Sequence, residues 1–427
     1  MYRTPRRFVG GAFCVLFVAL GGIPFARAFG QAPGEIIEAR DVKIGMGFGA
    51  PLHAHIYRPS GNGLHSTVFS LEVDTTVARE QNARALAAAG YAVVIAAPRG
   101  GDDRHIGRDG YDAIEWINDQ SWSDRRIVMA GTGEGANAAW NAARAHPPHL
   151  AAILARAPLR PLGWTDVEVQ RVVIPALSIA GSAGDAQGYA VDAHARYARA
   201  VRSGGAPIAY LVIGSLAAPQ LDLLERQWID WAAGRGPISP LLRKRVNYLV
   251  VNEGTWLAAD SLAAIGARPT SFPLHSNAGP RVAPGGFLGE APRDDEPADT
   301  VEGDKTYETL LGAPLDLAGS PTVTLWLRHE PPHEPLVPFQ MRIISLDEVL
   351  ADGTAVSLGS SGEWVRTADT TAALGSAADR VEFKGLPWVA RRLAAGSKLR
   401  LTVNGAPTVI YHDNDRYSRV TLPVVKH

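Results

Sequence analysis

The residues best placed to specify chemistry lie where a strand-like run ends. Ile127-Val128-Met129-Ala130 leads into Gly131-Thr132-Gly133-Glu134-Gly135-Ala136 and then into a helical pattern. A sharp strand-to-helix turn exposes one side chain at its tip, and small flanking residues permit the turn. In a Gly-x-Ser-x-Gly sequence that tip presents an attacking hydroxyl. With Gly131 and Gly135 as the flanks, the tip here is Gly133. Glycine has no oxygen with which to attack a carbonyl, so the acyl-enzyme route is closed at this position. Glu134 stands one residue past the tip, where the backbone N–H is the usual oxyanion donor. Thr132 precedes the tip and should point elsewhere.

Other residues could carry different chemistry. Gly131-x-Gly133-x-x-Ala136 also fits a dinucleotide fingerprint, which would seat a pyrophosphate on the helix N-terminus. Against it, the acidic residue expected after the next strand is missing. That strand ends Ala155-Arg156-Ala157, and Arg156 would suit a 2′-phosphate. A degenerate elbow is the favoured reading. Asp102, Asp103 and His105 could ligate a metal, but the expectation is a solvated loop. His53 with His55, and His329 with His333, are expected on a surface strand and a proline-rich loop. Ser182 and Ser215 fall near the ends of strands, with no histidine beside them. No metal site and no cofactor are expected.

Alternation of apolar runs with helical patterns supplies the frame for these residues. Glu35–Arg58 reads as two strands joined by the Gly47–Gly49 turn. Strands follow at 67–73, 91–97, 126–130, 151–155, 174–180 and 208–213. Helices are expected at 77–89, 110–119, 137–145, 189–201 and 221–233. Continuous apolar strands between helices imply a mostly parallel sheet buried on both faces. Gly234-Arg235-Gly236-Pro237-Ile238-Ser239-Pro240 reads as a linker. Beyond it, short strand-like segments such as Val246–Val251, Thr322–Arg328, Phe339–Ser345 and Lys398–Val403 alternate with Gly, Pro and Asp turns. Ser276–Asp304 reads as a long surface loop, and the second half as an all-β sandwich. The expected organisation is a signal peptide over 1–28, an α/β domain over 35–233, a linker over 234–244 and a sandwich over 245–427.

The chain has 427 residues, 46% of them apolar and 20% charged, with a net charge of −1. That balance offers no basic surface for nucleic acid. Arg3, Arg6 and Arg7 precede an apolar run from Phe8 to Phe25, and Ala26-Arg27-Ala28 fits a small-x-small cleavage site. This is the pattern of an export signal, implying a secreted or periplasmic protein with no membrane attachment after cleavage. The single cysteine, Cys14, lies inside that signal, so the mature chain would carry no thiol.

Several stretches together resemble the CocE/NonD family, the hydrolases related to cocaine esterase and Xaa-Pro dipeptidyl-peptidase. They are His55-Ile56-Tyr57-Arg58-Pro59, Gly90-Tyr91-Ala92-Val93-Val94, Pro98-Arg99-Gly100, Ala113-Ile114-Glu115-Trp116-Ile117 and Trp122-Ser123-Asp124. Trp140 after the elbow, Asn252-Glu253-Gly254-Thr255-Trp256, Gly396–Leu401 and Leu422-Pro423-Val424-Val425 extend the likeness. The resemblance implies an α/β-hydrolase fold followed by a C-terminal jelly roll. It also implies four site positions. The nucleophile falls on Gly133, the acid on Asp185, the histidine near Ala218 and the oxyanion-hole tyrosine near Val73. Three of these four no longer carry the chemical group. A long helical cap expected between Arg156 and Val172 is replaced by a short connector containing Trp164, so a substrate preference does not carry over. Loss of one triad member typically costs about 10⁴–10⁶ in rate. The expected function is therefore a non-catalytic binding or scaffold role for an unidentified ligand or protein partner. Two alternatives stand beside it: a hydrolase rebuilt around Glu134, Asp185 or a loop serine, and nucleotide binding at the glycine turn. A distant histidine such as His105 or His275 would have to enter the cleft for the rebuilt site to work.

Overall fold

The computed structural model describes residues 35–426 apart from 73–75, 159–163, 166, 169–171, 183–208, 277–284, 295, 302, 330–338, 367–377, 384 and 405–407. The first sheet has ten strands: β1 (Ile36–Ile44), β2 (Leu52–Pro59), β3 (His65–Leu71), β4 (Ala92–Ala96), β5 (Ser123–Thr132), β6 (Leu150–Arg156), β7 (Ala176–Gly181), β8 (Ala209–Gly214), β9 (Val246–Val250) and β10 (Thr255–Ala259). Their order is β1-β2-β4-β3-β5-β6-β7-β8-β9-β10. Strands β3 to β9 run parallel, while β1, β2 and β10 join antiparallel at the edges. Helices α1 (Val77–Ala88), α2 (Asp103–Asn118), α3 (Glu134–Ala145) and α4 (Pro219–Ala232) connect them. This is the α/β-hydrolase arrangement that the sequence implied. Every residue of β4, β7 and β9 is buried, as a strand covered by helices on both faces requires.

Helix α2 starts earlier than its apolar pattern suggests. Asp102 caps it, its Oδ1 accepting the N–H groups of Arg104 and His105 at 3.0 Å each and lying 2.9 Å from His105 Nδ1. The Asp102–His105 cluster is thus a helix N-cap and not the loop the sequence suggested. Helices α2 and α3 approach closely because α2 carries glycine at the contact. A Cβ on Gly107 would lie 2.7 Å from Asn141 O, and one on Gly110 would lie 2.6 Å from Ala142 Cβ.

The second domain is built of β11 (Ala267–His275), β12 (Gly286–Leu288), β13 (Asp299–Val301), β14 (Lys305–Leu310), β15 (Leu315–Gly319), β16 (Thr322–His329), β17 (Phe339–Val349), β18 (Ala355–Arg366), β19 (Asp379–Phe383), β20 (Val389–Leu393), β21 (Lys398–Asn404), β22 (Thr408–Ile410) and β23 (Arg419–Val425). Strand β11 pairs with β23 along most of its length and with β12 at Leu274 and His275. It thereby passes from one layer of this jelly-roll-like domain to the other. Burial alternates residue by residue in β21 and β23, so one face of each strand is turned to the core.

Two sequence expectations are corrected here. The sequence pattern places Val246–Val251 in the sandwich, but β9 and β10 complete the first sheet, and the second domain's strands start at Ala267 rather than at 245. A five-residue strand such as Val246–Val250, Val-Asn-Tyr-Leu-Val, is too short for its periodicity to tell a buried parallel strand from a sandwich strand. Likewise, the described part of Ser276–Asp304 is no simple surface loop. It supplies β12, β13 and the buried carboxylate of Asp299. The domains are joined where β9 ends. Val251 N–H donates to Ala390 O at 3.1 Å, and the Asn252 amide both donates to and accepts from the backbone of Arg392. Tyr248 meets Trp388 edge-on at 5.6 Å.

The expected signal over 1–28, the helix at 189–201 and the site positions Val73 and Asp185 lie outside the described residues, as does His333. Among the described residues no helix is long and apolar enough to cross a membrane.

Candidate functional site

Strand β5 and helix α3 meet at Gly133, which has φ 64° and ψ −119°. A non-glycine residue held at positive φ stores strain of order 1–3 kcal/mol, and such backbone is concentrated at functional turns. Gly133 N–H donates to Arg156 O at 3.0 Å, and Gly133 O accepts Asn137 N–H at 3.2 Å. The turn is therefore tied to β6 on one side and to the first turn of α3 on the other. Its tip carries only hydrogen.

The flanking glycines have different neighbours. A Cβ on Gly131 would press into the backbone of Gly135 and lie 2.8 Å from Ala136 N. A Cβ on Gly135 would meet the carboxylate of Glu72, 2.5 Å from Oε1 and 2.8 Å from Oε2. Glu72 follows β3 and is only 7% exposed. Its Oε1 accepts a long hydrogen bond from Thr132 N–H at 3.4 Å, and its Oε2 pairs with Arg79 Nη2 at 3.0 Å. Burial pushes the Glu72 carboxyl above its ordinary range, and the Arg79 guanidinium and the Thr132 N–H oppose that shift only partly. Sequence reading missed both residues. The available signal was a lone acid ending an apolar strand, with an arginine seven residues later.

This juxtaposition sets an expected coupling. Gly135→Ala should destabilise the fold by about 2 kcal/mol through overpacking against Glu72. Combined with Glu72→Ala it should cost clearly less than the sum of the single changes, with an interaction term of about 1 kcal/mol. Urea denaturation of the four chains measures this, and strict additivity would show that the two positions do not press on each other.

The remaining candidates are placed as follows. Thr132 and Glu134 are exposed, and Glu134 Oε2 accepts from Asn137 Nδ2 at 3.1 Å. Ala218 is the N-cap residue of α4, and its N–H donates to Ser215 O at 3.0 Å. Ser182 is buried, with its N–H on Gly214 O. Arg156 is committed to Glu225 at 2.6 Å, Asp222 at 3.2 Å and the carbonyl of Leu216. An arginine so engaged is not available for a 2′-phosphate, and a carboxylate against the first turn of α3 disfavours a pyrophosphate there. The nucleotide reading loses its support on both counts.

Five histidines have acidic partners away from the elbow. His53 meets Asp41, His105 meets Asp102, and His149 Nδ1 lies 2.9 Å from Glu115. His275 and His412 belong to the second domain, with Glu296 at 2.6 Å and Asp299 at 3.0 Å respectively. His55 is half-buried on β2, and its Nδ1 has no hydrogen-bond partner among the described residues. Among the described residues no three His, Cys, Asp or Glu side chains converge as a metal would need.

Trp164 in the short connector packs edge-on against Trp140 of α3 at 6.2 Å, and its Nε1 donates to Asn141 Oδ1 at 3.3 Å. Arg144 lies over the Trp164 ring at 5.3 Å. Trp164 thus covers the flank of the helix that follows the elbow.

A parallel sheet in this order, with a strand-to-helix elbow after β5, defines an α/β-hydrolase fold. Residues 49–245, just under half of the chain, match the X-Pro dipeptidyl-peptidase (S15 family) sequence profile. Over that segment the chain is similar to the S15 family, and its fold is that of the α/β-hydrolases. Among solved structures, a CocE/NonD family hydrolase from Staphylococcus aureus is 14% identical with a TM-score of 0.73, over 92% of this chain and 94% of that one. An aminopeptidase from a marine sediment Thaumarchaeota archaeon is 11% identical with a TM-score of 0.72, over 96% and 100%. An α-amino acid ester hydrolase is 13% identical with a TM-score of 0.67, over 95% and 100%. At these identities the likeness speaks to the fold, and it spans both domains. No curated protein matches the chain.

Proposed function

We propose that this protein is an exported member of the S15 hydrolase family that binds a ligand or protein partner and does not turn it over by the serine-triad route. The observation that carries this reading is Gly133: the elbow keeps its left-handed backbone while its tip has no nucleophile. Ala218 in place of a histidine supports it. So does Glu72, whose carboxylate lies against the first turn of α3 near the backbone groups that would otherwise face a developing oxyanion. A hydrolase rebuilt around a carboxylate is the second reading. Glu72 itself favours it, because a buried carboxyl with a raised affinity for protons is suited to general-base work.

A fluorophosphonate probe separates the two, together with a panel of esters and X-Pro dipeptide substrates. The expected result is neither labelling nor turnover. Gly133→Ser is expected to remain unlabelled as well, because an added hydroxyl lacks an imidazole to take its proton. Turnover by the unaltered chain that falls at least about a hundredfold in Glu72→Gln would replace the binding reading with the rebuilt hydrolase.

A further inference from the structure

An open groove of about 730 Å³ lies between α2, α3 and the Trp164 connector. Arg144, which borders it, is eleven residues along α3 from Gly133, or roughly 16 Å at 1.5 Å per residue. The groove is therefore separate from the elbow. It is lined by Arg104, Arg108 and Arg144, with Tyr111 among them. Arg104, Arg108 and Tyr111 are spaced i, i+4, i+7, which places them on one stripe of α2.

The charges in this groove are unevenly matched. Its two carboxylates are already engaged. Asp112 Oδ2 accepts Gly47 N–H at 2.9 Å, and Glu168 takes Arg144 at 3.2 Å and both the N–H and hydroxyl of Thr165 at 2.9 and 3.1 Å. Arg104 and Arg108 are exposed; Arg104 lies near enough to Glu168 to help the Thr165 N–H hold its carboxyl below the ordinary range, and no carboxylate among the described residues lies within ion-pair distance of either guanidinium. Like charges at i, i+4 on a helix repel each other and oppose helix formation. Arg144, by contrast, is anchored. It is held by Glu168, by Asp103 O at 3.1 Å and by the face of Trp164. The groove is thus bordered by one anchored arginine, Arg144, and two exposed ones, Arg104 and Arg108, and its volume lies in the range of small-molecule sites.

We propose that this groove binds a small multiply charged anion, whose clustered oxygens bridge Arg104 and Arg108 and are oriented by Arg144 and Tyr111. Guanidinium forks accept phosphate or carboxylate oxygens in paired hydrogen bonds, and a bridging anion removes the Arg104–Arg108 repulsion. The assignment does not depend on the chemistry of the Gly133 turn.

Calorimetry on the full chain with pyrophosphate and with citrate tests it. Saturable binding of at least one is expected, weakening with added salt. Arg104→Gln combined with Arg108→Gln should weaken binding by at least about tenfold. Arg380→Gln, an exposed arginine of the other domain, should leave it unchanged. Binding of pyrophosphate alone identifies phosphate oxygens as the recognised group, and binding of both identifies clustered anionic oxygens in general. Failure of both anions to bind at millimolar concentration overturns the proposal. So does undiminished binding by the double variant, or an equal loss in Arg380→Gln. On the unaltered chain, the bound anion should protect Arg104 and Arg108 from phenylglyoxal. Unprotected modification of both would also overturn it.

Discussion

Gly131→Ala is expected to leave the chain unable to hold its fold. The substitution is mild by composition and adds only one methyl group. Its cost comes from where that methyl must go. At the end of β5 it would enter the backbone of Gly135 and stand 2.8 Å from Ala136 N. Those atoms belong to the first turn of α3, whose following residues are buried. Neither β5, paired on both sides, nor α3 can retreat without breaking the sheet's central register. A flexible neighbour would yield for about 1–3 kcal/mol. A rigid backbone on both sides raises the expectation to about 4 kcal/mol or more, a large fraction of the roughly 5–15 kcal/mol that holds a typical domain folded. Circular dichroism on heating is the direct measurement. A Gly131→Ala chain melting within a few degrees of the parent would show that the turn is far more pliable than its geometry implies. Gly135→Ala, whose added methyl meets a side chain, should be the milder of the two.

Asp299→Asn should be nearly as damaging to the second domain, for an electrostatic reason. Asp299 is 8% exposed and gathers donors from four directions. Ser276 Oγ donates at 2.7 Å, Tyr307 OH at 2.8 Å and His412 Nε2 at 3.0 Å, while Lys305 Nζ lies at 3.4 Å. Burial pushes its carboxyl up, but the hydrogen bonds from His412, Ser276 and Tyr307 more than reverse this and hold it well below the usual range. An asparagine must turn its NH₂ toward at least one of these donors, so a buried pair would clash. The expected loss is about 3–5 kcal/mol, as for other broken buried charge networks.

The pH dependence follows from the sign of that shift. A carboxyl that binds protons less readily when folded contributes stability above its unfolded value, near ~4. That contribution disappears as the pH falls toward the folded value. The parent should therefore lose stability on acidification below about pH 4, and Asp299→Asn should show a flatter acid limb. Urea midpoints across a pH series would report both effects. Parallel acid limbs in the two chains would remove Asp299 from the account.

Glu72 and Arg79 illustrate what a linear reading leaves out. Glu72 ends an apolar strand, and taken alone it reads as a residue leaving the core. Its meaning comes from Gly135, sixty-three positions later, whose missing side chain provides the space that the carboxylate fills. The start of α2 was missed for a local reason, because Asp102-Asp103-Arg104-His105 has no apolar periodicity and the cap is visible only through its hydrogen bonds. Val246–Val250 was placed in the wrong domain because its burial on both faces depends on β8 and β10, not on its own pattern.

The sequence alone determined the alternation of strands and helices, the change to β structure in the second half, and the glycine at position 133. Each of these is written in short-range periodicity or in the identity of a single residue. Only the tertiary structure decided which strands complete the first sheet, what stands beneath the elbow, and which charges are satisfied. Sheet order, the Glu72–Gly135 contact and the grouping of Arg104, Arg108 and Arg144 around one groove depend on residues brought together from distant parts of the chain. No local pattern encodes such distances, because they arise only when the packed elements set them.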